Sequence, residues 1–400
     1  MEPSRKNQSD VRSVLRAGPR VSEQTGSSDE SGGYYLDTKD PDRPRILVLS
    51  VWKWLLILML AFGVQSASAQ ATIWSMGYYW PPNGYPTIAD VDWDALTHIA
   101  IVGGQVNADG TLTPVPTAFT DKAAAAIAAA HAHGVLALYS ISSSGGTNFA
   151  SAITNNEGAL IANIMSTVNT YGFDGVDVDD EETWNGTAMT TLLSDLRINL
   201  GSKLLSFAAL SDTYIHWNST YTSYVDRVSL MSYDWSGPWD PYTWFNSPLN
   251  SWNNFSAISK LIPLFESSGV PAEKLNIGLA FYGNLVTPNT GPYQTWGASP
   301  SVTQVSYSDI INTYNISGAT YDSTAHVPWI AGGGGYLNWD NPQSITGKVN
   351  YAKANGLGGW IIWSLGRDYV PGATPNGPLL DAVKQAFRPP PPRNLNITVQ

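Results

Sequence analysis

The chain has 400 residues, only 13% of them charged, with 21 Lys and Arg against 32 Asp and Glu and a formal net charge of −11. An acidic chain with no basic stripe repels a phosphate backbone, which excludes nucleic acid as a partner. It holds no cysteine, which excludes disulfides and thiol chemistry and leaves stability to one large core.

Residues 1–45 are polar, without apolar periodicity, and read as a disordered leader. Residues 46–69 carry a strongly apolar run broken by Lys53 and end in Ala67-Ser68-Ala69. A basic residue, an apolar run and an A-x-A site read as a secretory signal cut before Gln70. The alternative is a membrane anchor, since the run is nearly long enough to span. The expectation is a secreted or periplasmic protein, free of the membrane once the signal is cleaved and anchored there if it is not.

Strand-like and helix-like segments then alternate. Strands are expected at 72–80, 97–103, 135–141, 173–181, 203–209, 227–232, 274–280 and 357–364. An alanine-rich helix at 122–133, a helix near 158–170 and one at 189–200 lie between them. Leu192, Leu193 and Leu196 give the last helix an apolar stripe. Alternation of this kind predicts a parallel sheet covered by helices, and eight strands predict an α/β fold, a (β/α)8 TIM barrel over 70–387. Arg388 and the four prolines after it begin a stiff Pro-rich tail, 388–400.

The fourth strand carries Asp174, Asp177, Asp179 and Glu181 within a β-branched run. Side chains alternate along a strand, so Asp177, Asp179 and Glu181 point the same way, at the C-terminal end where such barrels carry their sites. Carboxyls stacked on a buried face repel one another and resist desolvation, which raises at least one pKa. A protonated carboxyl at the end of such a row suits cleavage of a glycosidic bond. Two other readings fit less well. A calcium loop counted from Asp177 would need Gly at its sixth position and Glu at its twelfth, where Glu182 and Ala188 stand. A solvated acidic loop would not hold Phe173, Val176 and Val178. The 16 Trp and 20 Tyr offer flat faces suited to sugar rings, besides filling the core.

The run Asp174-x-x-Asp177-x-Asp179-x-Glu181 resembles the DxxDxDxE signature of glycoside hydrolase family 18, the chitinases and their relatives. Ser143-Ser144-Gly145-Gly146 is similar to its SxGG motif, and Met231-Ser232-Tyr233-Asp234 to its MxYD motif. Leu279-Ala280-Phe281-Tyr282-Gly283 and Gly358-Gly359-Trp360-Ile361-Ile362-Trp363 resemble its seventh and eighth strands. The resemblance spans roughly residues 72 to 387 and its motifs keep the family's order.

The resemblance implies hydrolysis of chitin or another N-acetylglucosamine glycan without cofactor or metal. Glu181 would be the proton donor, Asp179 and Asp177 a proton-sharing pair, and Tyr233 a hydrogen bond to the acetamide. Trp363 would floor the sugar, with Asp234, Met231, Tyr282 and Tyr78 as further substrate contacts. Asp174, Ser143, Gly145 and Gly146 would support them. It also implies a small α+β insertion at about 285–341, between strands seven and eight, to which Ser306–Ile310 and the stretch from Trp339 to Lys348 belong. The chain is read as a monomer. Alternatives of the same chemistry are N-glycan cores or peptidoglycan; the alternative of another class is a non-catalytic lectin. One departure stands out: Asp180 and Glu182 replace apolar or aromatic residues. Asp180 is expected to point outward, and the added charge to keep Glu181 protonated.

Overall fold

Buried on both faces, the barrel strands are near-continuous apolar runs, such as Ile99-Ala100-Ile101 and Leu275 to Ala280. The computed structural model describes residues 73–80, 88–114, 119–143, 148–181 and 186–387. The leader, the 46–69 segment, Gly145, Gly146, Glu182 and the 388–400 tail lie outside the described residues. The first strands are β1 (Trp74–Tyr79), β2 (His98–Val106), the short β3 (Leu112–Pro114), β4 (Leu136–Ser143) and β5 (Gly175–Asp179). β6 (Leu204–Ala209), β7 (Arg227–Leu230) and β8 (Leu275–Ala280) follow. Five short strands come next: β9 (Tyr282–Thr287), β10 (Ser301–Ser306), β11 (Thr320–Tyr321), β12 (Pro328–Gly332) and β13 (Gly335–Trp339). β14 (Gly359–Trp363) is the last.

β1, β2, β4, β5, β6, β7, β8 and β14 are parallel neighbours in that order, and β14 pairs with β1 to close the ring. This is the eight-stranded barrel. The helices are α1 (Phe119–Ala132), α2 (Asn148–Tyr171), α3 (Gly186–Leu200), the one-turn α4 (Tyr221–Tyr224) and α5 (Ile258–Ser267). α6 (Tyr307–Thr313), α7 (Pro342–Ala354) and α8 (Pro378–Phe387) complete the set. α2 starts ten residues before the expected helix because the chain bends at Asn156 (φ −139°, ψ 26°). The polar run Asn155-Asn156-Glu157-Gly158 hides that first half from any periodicity.

Between β8 and β14, an antiparallel sheet of order β10-β9-β13-β12-β11 stands beside the barrel mouth, with α6 as its helix. Trp339 belongs to that sheet, but Lys348 does not. α7 carries Lys348 and packs on β8 and β14 as a barrel helix, opened by the capping box of Asn341 and Ser344. Trp244, Phe245 and Phe255 of the long loop after β7 form an aromatic cluster with Val327 beside β12, which ties that loop to the inserted sheet.

At the N-terminal end of the barrel His98 is buried, stacked on Trp74 at 3.8 Å. Burial, and then the nearby Arg227, push its pKa from 6.5 down to about 3. The unfolded chain therefore binds a proton that the fold refuses, and stability falls as pH drops below 6.5. About 1.5–2 kcal/mol should be lost between about pH 6.5 and pH 5 through this one group. In His98→Phe, which keeps a ring against Trp74, urea denaturation across that range should show a correspondingly flatter slope. Parallel slopes in the two proteins would refute the account.

Candidate active site

The fourth barrel strand, β5, divides its side chains by alternation. Val176 and Val178 join the layer between barrel and helices, while Asp177 is enclosed on the inner face. Ser140 and Ser206 are its register neighbours on β4 and β6. Their hydroxyls donate to Asp177 at 3.1 and 2.5 Å, and Tyr78 Oη donates at 2.8 Å. Burial raises the Asp177 pKa and the three donors pull it back.

Asp179, one step higher, is buried, and its Oδ1 has no hydrogen-bond partner among the described residues. Burial, then the charges of Glu181, Asp177 and Asp180, hold its pKa well above the carboxylate range. Glu181 lies just past the strand and opens to solvent. Enough protein still surrounds it that desolvation, followed by Asp234, raises its pKa. The expected role of Asp180 changes accordingly. It is buried, and its charge bears on Asp179; among the described residues the charge acting on Glu181 comes from Asp234.

The segment after β7 faces this row. Ser232 Oγ donates to the Gly278 carbonyl and accepts from the Gly278 amide, both at 2.7 Å, and pins the backbone. Any Cβ at Gly278 would sit 2.7 Å from the Tyr233 ring, so glycine is needed there. Tyr233 is buried, edge-on to Tyr282 with ring centres 6.0 Å apart. Burial, then Asp179, Asp234, Glu181 and Asp177, raise its phenol pKa, so it stays a donor. Asp234 adopts φ 57°, the left-handed region, with its amide held by Asn246 Oδ1 at 2.9 Å.

A cleft of about 260 Å³ is lined by Tyr78, Asp179, Glu181, Met231, Tyr233, Asp234, Gln304 and Trp363. Trp363 is half-buried, its ring edge-to-face with Tyr78 at 5.6 Å. The structure thus brings together Glu181, Asp179, Tyr233, Asp234, Met231, Tyr78 and Trp363, with Asp177 beneath them. Tyr282 is fully buried behind Tyr233 and does not line the cleft. Asp174 precedes β5 at the opposite end of the barrel, where it accepts from the Ala137 amide and meets His131 Nε2, each at 2.8 Å. Ser143 ends β4 without lining the cleft.

Gln304 and Arg367 were not legible in the sequence. Neither belongs to a motif, and each comes from a segment more than 60 residues from Asp234 or from the other. Among the described residues no group of three or more His, Asp or Glu is placed to hold a metal ion. The arrangement offers a carboxylic acid open to the cleft, a buried carboxyl pair beside it, a phenol and an indole face.

A closed (β/α)8 barrel with such a row over its C-terminal mouth is the architecture of a sugar-cleaving hydrolase. The family model described as Glycosyl hydrolases family 18 matches residues 75–368, and the chain belongs to that family. A class V chitinase of Arabidopsis thaliana is 28% identical over 349 residues, covering 78% of this chain and 91% of the relative. The chain spans less than two thirds of three further curated relatives, covering 44%, 63% and 61% of them. Among solved structures, a mutant class V chitinase of Nicotiana tobaccum in complex with NAG4 superposes with a TM-score of 0.68 at 22% identity, covering 79% of this chain and 99% of that one. The chitinase-like agglutinin RobpsCRA of Robinia pseudoacacia does so with 0.67 at 24%, covering 78% and 99%.

Proposed function

We propose that the protein cuts β-1,4 bonds of chitin and its oligosaccharides by a retaining, substrate-assisted route, after export and removal of the segment before Gln70. The observation that carries this reading is the pair at the cleft wall: an open Glu181 whose charge is disfavoured, beside a buried Asp179 with an unpartnered oxygen. Glu181 gives its proton to the glycosidic oxygen as that bond to the anomeric carbon breaks. The carbonyl oxygen of the substrate's 2-acetamido group bonds to the same carbon, forming an oxazolinium ion. Asp179 Oδ1 accepts the acetamide N–H and stabilises the developing positive charge. Tyr233 donates to the acetamide oxygen and holds it in line. Water then opens the ion from the face the leaving group left, returning its proton to Glu181, with net retention. Family 18 is one of the exceptions to the two-carboxylate scheme for this reason.

Likeness to an agglutinin raises a second reading, binding without turnover. Retention of Glu181, Asp179 and Tyr233 in one cleft favours the hydrolase. N-glycan cores and peptidoglycan would use the same machinery and are distinguished by substrate profiling.

The experiment follows the soluble β-1,4 tetramer of N-acetylglucosamine by NMR during early turnover. The new reducing end should appear first as the β anomer, and a tetramer bearing free amines in place of acetamides should not be cut. An initial α anomer, or cleavage of the amine form, would rule out substrate assistance. Binding of the tetramer without cleavage would favour the lectin.

A further inference from the structure

One contact at the cleft is made by the inserted sheet. Gln304 lies on β10, opposite Asn284 of β9, and extends to the cleft. Its Nε2 is 3.1 and 3.2 Å from the two carboxylate oxygens of Asp234. Its Oε1 faces both terminal nitrogens of Arg367 at 3.4 Å. Arg367 follows β14 and sits over the Tyr282 ring, its guanidinium carbon 4.7 Å from the ring centre. Guanidinium only donates and carboxylate only accepts, so the amide can be oriented one way alone. Gln304 is thus the connector between a cation and an anion that do not touch, joining segments after β7, on β10 and after β14.

We propose that Gln304, oriented by Arg367, is a positioning residue that sets the place and charge of Asp234 opposite the proton donor. Asp234 needs such support, because its backbone is left-handed and its carboxylate stands among Glu181, Tyr233, Tyr282 and Arg367. Glu181 lies just past β5, Tyr233 on the segment after β7 that carries Asp234 itself, Tyr282 on β9 and Arg367 on the segment after β14. Burial raises the Asp234 pKa, while Tyr282, Gln304 and Arg367 lower it. An ionised Asp234 in turn favours the protonated form of Glu181. The inserted sheet therefore acts on the acid through a side chain two steps away. Gln304 and Asp234 are both open to the cleft, so a bound sugar meets the clasp and shields it from water.

This inference rests on the hydrolase reading, and its test separates the two. Wild type, Gln304→Met, Arg367→Met and the double variant are compared on the N-acetylglucosamine tetramer for kcat, KM, pH profile, tetramer affinity and thermal stability. In Gln304→Met, kcat/KM should fall about tenfold, mostly in kcat, which is the size expected for a lost hydrogen bond to a charged group. Asp234 then takes a proton more readily and its push on Glu181 weakens. Glu181 loses its proton at lower pH, so the alkaline limb should move to lower pH by about half a unit. Arg367→Met should shift the limb in the same direction, and because the two side chains act on Asp234 through one clasp, the double variant should cost less than the two single losses combined. A change below twofold with an unmoved limb would overturn the proposal. So would a loss of thermal stability that accounts for the whole effect. If the wild type does not cut the tetramer, the hydrolase reading fails by itself. The clasp is then read from affinity, where at least about fivefold weaker binding by Gln304→Met supports it and equal binding overturns it.

Discussion

Glu181→Gln should lower turnover of the N-acetylglucosamine tetramer by roughly 10²–10⁴-fold, the range attributed to one positioned general acid. The amide keeps the shape of the carboxyl and its place just past β5, but has no proton to give the leaving oxygen. Tetramer affinity should stay within about threefold of wild type, because Tyr78, Tyr233, Asp234 and Trp363 still line the cleft. Steady-state kinetics and titration calorimetry on the same preparations measure both. Turnover equal to wild type would mean that another group is the acid.

The pH dependence follows from the same electrostatics. Desolvation and Asp234 raise the Glu181 pKa above its ordinary 4.5, so the donor stays protonated below the raised value and loses its proton as pH rises through it. Activity in wild type should therefore fall on the alkaline side at that pKa, and in Glu181→Gln that limb should vanish from whatever residual rate remains. On the acid side the Asp177–Asp179 pair governs. Each of its members is raised by burial, so the two carboxyls titrate as a coupled pair, and loss of their last shared charge should set the acid limb. The row is thus built against its own stability: carboxyls with raised folded-state pKa values favour the fold when protonated, and ionising them costs stability as pH rises.

The acidic row was legible because its information is local. Alternation along β5 sends Asp177 inward and places Asp179 above it, and Glu181 follows just past the strand's end. No rule of spacing, however, tells which serines lie level with Asp177. That comes from the registers of β4 and β6, which set Ser140 and Ser206 beside it. Tyr282 was recognised by its motif and misplaced by one layer, since a motif names a position and not the side of Tyr233 on which it packs. Gln304 and Arg367 escaped for a related reason. Each gains meaning only when β10 pairs with β9 and the chain after β14 returns over Tyr282. β5 ends at Asp179, and Asp180 just beyond it is buried with its charge bearing on Asp179, an effect that spacing alone does not show.

Lys348→Met should destabilise the protein by about 3–5 kcal/mol, the usual consequence of stranding one member of a buried ion pair. Lys348 and Asp340 are 0% and 1% exposed, with Nζ at 2.7 and 2.6 Å from the two carboxylate oxygens. Burial lowers the lysine pKa and Asp340 restores part of it, so neither charge is comfortable without the other. Methionine fills nearly the same volume, which makes the loss electrostatic and not a cavity. Replacing the partner as well, in Lys348→Met/Asp340→Leu, should recover most of the stability, because an apolar pair avoids both desolvation penalties. Urea denaturation of the three proteins tests this, and a single variant costing under about 1 kcal/mol would show that Asp340 finds other compensation. The pair also reaches toward the site. Lys348 Nζ donates to Ser247 Oγ at 2.8 Å, and Ser247 Oγ donates at 2.5 Å to the carbonyl of Ser232, the residue before Tyr233. The double variant should therefore regain its stability while keeping a several-fold deficit in kcat, since Ser247 loses the donor that orients it against the Ser232 carbonyl, next to Tyr233. Full recovery of kcat along with stability would show that the ion pair holds only the fold.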